Sequence, residues 1–204
     1  MEVVCAEFLP FSGELYILVV DADMNLHVLQ YDPENPKSLS GMRLLHRSTF
    51  HLGHFPTSMT LVPSTLAPFA SQQEALPSGH ADSEMEEDSA PSLSTPLFHV
   101  LVTTQTGSIN LITPVDETTY RRLAAVEQHL TSILEHPAGL NPKDYRAIES
   151  EGFGARGMVD GSIIQRIGEL GSARRAEVLG RAGSDVWTLR SDLEIIAGGG
   201  LGWL

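Results

Sequence analysis

A single cysteine, Cys5, stands in 204 residues. That excludes an internal disulfide framework and fits a reducing compartment. Aromatic side chains are scarce, at 6%, and most lie in strand or helix patterns that would bury them. Few remain as stacking platforms for single-stranded nucleic acid. Cations are scarce too. Thirteen Lys and Arg face 26 Asp and Glu, for a net charge of -13, and no Lys/Arg cluster of the nuclear-localisation type occurs. Phosphate binding draws on clustered cations, so the chain does not read as a stand-alone nucleic-acid binder. There is no basic-then-apolar leader and no apolar run of about 18 residues, so neither secretion nor membrane spanning is indicated. The Gly-x-Ser-x-Gly elbow, the phosphate-binding Gly-x-x-x-x-Gly-Lys-Ser/Thr loop and His-Glu-x-x-His are all missing. No residue is therefore nominated as catalytic, cofactor-binding or metal-binding, no cofactor is expected, and RNA-contacting residues are left unknown.

The charge is unevenly spread. Residues 63–96 hold Glu74, Asp82, Glu84, Glu86, Glu87 and Asp88 and no Lys or Arg, which is nearly half of the acidic excess. This stretch is otherwise Ser, Pro and Ala. It cannot bury enough apolar surface to offset its ordering entropy and is expected to be a disordered insertion. Within it, Ser83 precedes a run of acids and suits an acid-directed kinase, although a solvated spacer is the simpler account.

On either side the patterning is regular. Residues 2–9, 14–20, Leu26 to Tyr31, Arg43 to Phe50 and Ser58 to Val62 are short runs of high β-propensity, each ended by a turn. Strand pattern resumes at Leu97 and ends at Pro114. From Asp116 the period becomes helical: Tyr120, Leu123, Val126, Leu130, Ile133 and Leu134 form one apolar stripe, ended by Pro137 and Gly139. Short helices are expected over about 161–170, 173–181 and 185–197, the last with Val186, Leu189, Leu193 and Ile196 on one side. The pattern predicts a mixed β plus α chain: antiparallel blade strands over 1–62, the insertion at 63–96, a hairpin over 97–115 and a helical domain over 116–204. So few strands cannot close a propeller of about four or more blades, so the chain reads as the tail of something larger, whether a truncated gene product or a deliberate cut.

Three motifs invite sharper readings and fail on context. Gly152-Phe153-Gly154-Ala155-Arg156-Gly157 spells a dinucleotide fingerprint, but no buried strand precedes it and Asp160 would place a carboxylate where phosphate should sit. Asp21-Ala22-Asp23-Met24-Asn25 imitates half a calcium loop, yet Leu26 replaces the turn glycine and both flanks are strands, so a hairpin turn is expected. His51 and His54 are a close pair without a third ligand, and read as surface or edge-strand histidines. Arg174, Arg175 and Arg181 are the nearest approach to a basic track, and are expected to face a partner protein or solvent.

The most specific segment is Gly157-Met158-Val159-Asp160-Gly161-Ser162-Ile163-Ile164-Gln165-Arg166-Ile167. Asp160 can cap the helix that follows, and Ile163, Ile164 and Ile167 fall on one face. With Phe50-His51-Leu52-Gly53 and the hairpin from Thr103 to Ile112, it resembles the C-terminal end of the large triple-propeller proteins. These include the A subunit of cleavage and polyadenylation specificity factor, the large subunit of the UV-damaged-DNA-binding protein and a large splicing-factor 3b subunit. Those motifs speak for the group. The stretches Leu15 to Pro33 and Arg47 to Thr57 resemble the fungal polyadenylation-factor A subunits more particularly. The resemblance implies a β-propeller part followed by a small helical domain. It also implies a nuclear, non-enzymatic scaffold in the complex that cleaves and polyadenylates pre-mRNA, with WD-repeat and zinc-finger partners making the base-specific contacts. RNA binding attaches to the family as a whole, and no membrane association is implied. The alternative within the group is a damaged-DNA-binding ubiquitin-ligase adaptor or a spliceosomal subunit.

Overall fold

The computed structural model describes residues 2–64, 97–136, 139–141 and 157–196. Its first half is antiparallel β-structure. Strands β1 (Val3–Phe11), β2 (Glu14–Asp21), β3 (Asn25–Tyr31) and β4 (Leu45–His51) form one sheet in that order, and β5 (Pro56–Pro63), β6 (Phe98–Thr104) and β7 (Ile109–Ile112) form a second. Each link between consecutive paired strands makes a meander, so the register is set locally by turns. Ser12 and Gly13 between β1 and β2 both have positive φ, 53° and 79°. Two left-handed residues in a two-residue loop match the right-handed twist of the strands they join.

The sheets share a core. Leu9, Leu18, Val20, Leu26 and Leu52 from the first pack with Val100 and Val102 from the second, and β1 lies alongside β5 and β6. The alternation of β-branched and aliphatic residues explains why. In β6, for instance, Val100 and Val102 share a face at period two and are fully buried.

The second half is helical: α1 (Glu117–Ile133), α2 (Gly161–Gln165), a 3-10 turn (Arg166–Glu169), α3 (Ser172–Arg181) and α4 (Val186–Ile196). Asp116 caps α1, accepting from the backbone N–H groups of Thr118 and Thr119 at 3.1 Å each. The helices enclose their own core of Leu123, Val126, Leu130, Ile163, Ile164, Ile167, Val178, Leu179 and Leu189.

Several boundaries move from the expected ones. The second sheet reaches Pro63, and the N–H of Ser64 donates to the Leu97 carbonyl at 2.7 Å. The first residues of the expected 63–96 insertion therefore belong to the sheet, while 65–96, Ser83 included, lie outside the described residues. Helix α1 stops at Ile133, where Leu134 turns extended (ψ 142°), before the breaker residues rather than at them. Ile133 is 40% exposed and Val186 45% exposed, so neither belongs to the buried stripe assigned to it. The helix expected over 161–170 splits after Gln165, because the next turn tightens to a 3-10 form.

Candidate functional site

The junction between the two cores is tightly constrained, and four consecutive residues make it. Gly157 has φ +69°, and a Cβ placed there would lie 2.9 Å from Ser48 Cβ and 3.1 Å from Ser48 Oγ on β4. Only a residue without a side chain fits at that angle and distance. Its N–H donates to the Tyr120 hydroxyl of α1 at 3.0 Å. Met158 then packs against the sheet core, and Val159 against the helical core. Asp160 is buried and caps α2, accepting from the Ser162 N–H at 2.9 Å and from its hydroxyl at 2.5 Å. The Asp160 N–H in turn donates to Glu127 Oε1 at 3.2 Å. The expected capping role of Asp160 is seen, and so is the face of Ile163, Ile164 and Ile167, all three buried.

Two further bonds tie helices to sheets and to each other. The Thr113 hydroxyl, just after β7, donates to the Ile196 carbonyl at the end of α4 (3.0 Å) and contacts His99 Nδ1 at 2.9 Å. With its proton committed to Ile196, Thr113 accepts from His99 Nδ1–H. That leaves His99 Nε2 as a buried lone pair with no partner among the described residues. Burial pushes the His99 pKa down, which keeps the ring neutral. Arg122 of α1 grips Asp192 of α4 in a fork, Nε to Oδ2 at 2.9 Å and Nη2 to Oδ1 at 2.8 Å.

A polar chain on the first sheet was not legible from the sequence. His27 Nε2 meets Asp21 Oδ2 at 2.9 Å, His27 Nδ1 meets Thr49 Oγ1 at 3.1 Å, and His46 Nε2 meets the same Thr49 Oγ1 at 2.8 Å. A carboxylate accepts only, so His27 carries its proton on Nε2, its Nδ1 takes the Thr49 hydroxyl proton, and His46 Nε2–H completes the run. His46 and Thr49 are three apart and would point to opposite faces of a regular strand. The register of β4 shifts between Ser48 and His46, a bulge at Arg47 that brings them together. Burial pushes the Asp21 carboxyl up, but hydrogen bonds from His27 and Asn25 outweigh it and hold the group below its ordinary value. Asp–His–Thr is the order of a nucleophilic triad. Here the Thr49 hydroxyl is buried and shared between two imidazoles, so the arrangement cross-links β3 and β4 rather than presenting a nucleophile.

The other sequence candidates are placed as follows. Asp21 Oδ1 accepts from the N–H groups of Asp23 (3.0 Å) and Asn25 (2.9 Å), which makes the expected hairpin turn. His51, on edge strand β4, meets Asn25 Oδ1 through Nδ1 at 3.0 Å, and His54 is exposed. Residues 152–156 of the dinucleotide-like run lie outside the described residues. No group of three or more His, Cys, Asp or Glu able to hold a metal occurs among the described residues, and none of their helices is long and apolar enough to cross a membrane. Arg175 is not turned outward as expected. It donates to the Gly168 and Leu170 carbonyls at 3.3 and 3.1 Å, and Arg181 pairs with Glu177 at 2.7 Å.

The sequence has relatives among known proteins. A family profile described as the CPSF A subunit region matches residues 1–169. The chain is 50% identical over 204 residues to Protein cft1 of Aspergillus fumigatus, covering all of this chain and 14% of that protein. It is 49% identical over 200 residues to Protein CFT1 of Coccidioides immitis, covering 98% of this chain and 14% of the relative. Protein cft1 of Schizosaccharomyces pombe is 32% identical over 196 residues, covering 95% and 12%. The chain thus spans about one seventh of the length of the curated relatives it matches.

Proposed function

Since the chain belongs to the cleavage and polyadenylation specificity factor A-subunit family, we propose that it is a non-enzymatic scaffold segment of the nuclear complex that cleaves and polyadenylates pre-mRNA. The observation that carries the reading is the family match over residues 1–169, which runs through both sheets, α1 and the Gly157–Asp160 junction. In this reading the two sheets, over 1–62 and 97–115, are blades of a β-propeller whose other blades lie elsewhere in the longer polypeptide, and 116–204 is a helical domain docked on them.

The site chemistry supports a structural role. Asp160 at the junction is spent on a cap, and Asp21, His27 and Thr49 on the first sheet are spent on a turn and cross-links. Among the described residues of the helical part, most cations are engaged: Arg122 with Asp192, Arg166 with Glu169, Arg181 with Glu177 and Arg190 with Glu194. A net charge of -13 gives RNA no long-range attraction. Pre-mRNA is therefore reached through partner subunits, WD-repeat and zinc-finger proteins among them.

Affinity purification of the tagged protein from its own cells tests the reading. Polyadenylation subunits should co-purify, and a cullin or spliceosomal proteins in their place would overturn it. A second measurement addresses RNA. In fluorescence anisotropy at physiological salt, the chain should bind signal-bearing and scrambled RNA weakly and alike. Submicromolar affinity with preference for the signal would sink the scaffold reading of this segment.

A further inference from the structure

Strands β1, β4, β5 and β7 lie at the edges of the two sheets, and the first three carry features that discourage further pairing. Strand β1 has Glu7 and Pro10, and its register shifts between Val3 and Cys5. Strand β4 has the bulge at Arg47. Strand β5 begins on Pro56 and ends on Pro63, with a register shift between Pro56 and Ser58. Strand β7 differs. Its residues, Ile109-Asn110-Leu111-Ile112, include no charge and no proline, and its pairing with β6 runs without a shift. Shortness is the one safeguard it has.

The hairpin fixes which backbone groups of β7 are left over. The Thr104 N–H donates to the Ser108 carbonyl at 3.0 Å, and the register then sets Thr103 opposite Ile109, Val102 opposite Asn110 and Leu101 opposite Leu111. Opposed residues in an antiparallel pair alternate between exchanging both bonds and exchanging none. Counting from Thr104 and Ser108, Asn110 and Ile112 bond to β6, whereas Ile109 and Leu111 turn N–H and C=O away from it. Those outward groups have no partner among the described residues. Ile109 is also 60% exposed, and the rest of β7 is half-buried. Beyond β7 the chain passes to Asp116, the cap of α1, so the described residues supply no further strand to this sheet.

On the blade reading given above, we propose that β7 accepts a fourth, antiparallel strand donated by another part of the longer polypeptide. Propeller blades are four-stranded. The first sheet has four strands, each antiparallel to its neighbour, while the second has three. An antiparallel strand beside β7 exchanges a pair of bonds with Ile109 and a pair with Leu111, which satisfies what the hairpin leaves open. Ile109 and Leu111 share a face, so the donated strand sets apolar side chains beside them. The edge itself argues for a donor in the same polypeptide. Four residues offer far less than the roughly 1,000 Å² that holds a separate chain, whereas a tethered strand docks at the high effective concentration its own chain confers. The chain spans about one seventh of its relatives' length, which leaves ample polypeptide to supply it.

Photo-crosslinking in the longer polypeptide, purified from its own cells with its partner subunits, tests the donor. With benzoylphenylalanine in place of Ile109, irradiation should join this position to one segment of the same polypeptide outside residues 1–204, with no added mass on a denaturing gel. Capture of another protein or of a second copy would overturn the proposal, and so would capture of nothing beyond residues 1–204. Amide exchange in the same sample reads the bonds. The Ile109 and Leu111 amides should be protected, and Ile109→Lys, which charges the edge, should speed exchange at Leu111 about tenfold or more. Continued protection of Val100 and Val102 in β6 shows that the sheet itself stays folded in that variant. Free exchange of Leu111 in the parent, or exchange unchanged by Ile109→Lys, would count against a donated strand. Electron cryomicroscopy separates this from the reading beneath it: two sheets outside any closed ring would refute the blades, and a closed ring with β7 bare would refute the donated strand alone.

Discussion

Substituting Gly157 by Ala separates two costs that usually arrive together. The first is conformational. At φ +69° an L-residue with a Cβ is disfavoured by roughly 1–2 kcal/mol. The second is steric, since the new methyl would lie 2.9 Å from Ser48 Cβ, closer than carbon atoms pack. Ser48 is itself buried in a strand and cannot swing away, so relief requires the β4 backbone or the 157–160 segment to shift. Overpacking of this kind costs about 1–3 kcal/mol, for a total of roughly 2–5 kcal/mol. Gly183 supplies the control. It has nearly the same φ, +67°, after α3, and a Cβ there meets nothing within 4 Å. Gly183→Ala should therefore show the conformational cost alone, roughly 1–2 kcal/mol. Both changes stiffen the unfolded chain alike, so the difference between them isolates the contact with Ser48. Urea denaturation followed by circular dichroism measures both, and adding Ser48→Gly to Gly157→Ala should recover part of the loss. Equal destabilisation by the two glycine substitutions would refute the close approach as the reason for glycine at 157.

Three further outcomes are expected. Asp116→Ala should cost about 1 kcal/mol at neutral pH through loss of the α1 cap. Hydrogen bonds from Thr118 and Thr119 lower the Asp116 carboxyl to about 2 from an ordinary 3.8, so its contribution is complete above 3.8 and disappears as pH falls toward 2; urea melts of both proteins across that window should converge, and a constant difference would count against the cap. Arg122→Ala should cost about 3–5 kcal/mol because it strands the buried Asp192 carboxylate, whereas Arg122→Met with Asp192→Leu should restore most of the stability in thermal melts. Replacing 66–94 by a short Gly/Ser linker should leave stability within about 1 kcal/mol, because the Ser64–Leu97 bond already closes the β5–β6 ladder ahead of that stretch; a larger loss in a urea titration would show that the insertion packs on the sheets.

What was legible in the sequence is what short range decides. The strands announce themselves by alternation and turns, and Asp160 with the isoleucine face by helix spacing, because cap and face are set within a few residues. The Asp21–Asn25 turn was readable for the same reason. The polar chain through His27, Thr49 and His46 was not, because it needs a bulge at Arg47 that no local composition signals. Nor was the conformation of Leu39 and Ser40, since neither residue type advertises a positive φ. Gly157 stands out in the sequence only as the first residue of the segment that runs to Ile167. Its actual constraint, Ser48, lies more than a hundred residues away in the chain and is visible only once the sheets and helices are assembled.

The bond between Ser64 and Leu97 has a consequence for how this polypeptide can change over generations. Inside a strand, gain or loss of one residue moves every later side chain to the opposite face and empties the core. Between positions 64 and 97 that parity rule is suspended, because the pairing of Pro63 with Phe98 is fixed on its own side of the closure. Codons can be added or deleted there one at a time, in odd or even numbers, without turning Val100 or Val102 out of the core. The sheet is thus inherited under strict counting while its longest connection is free of it.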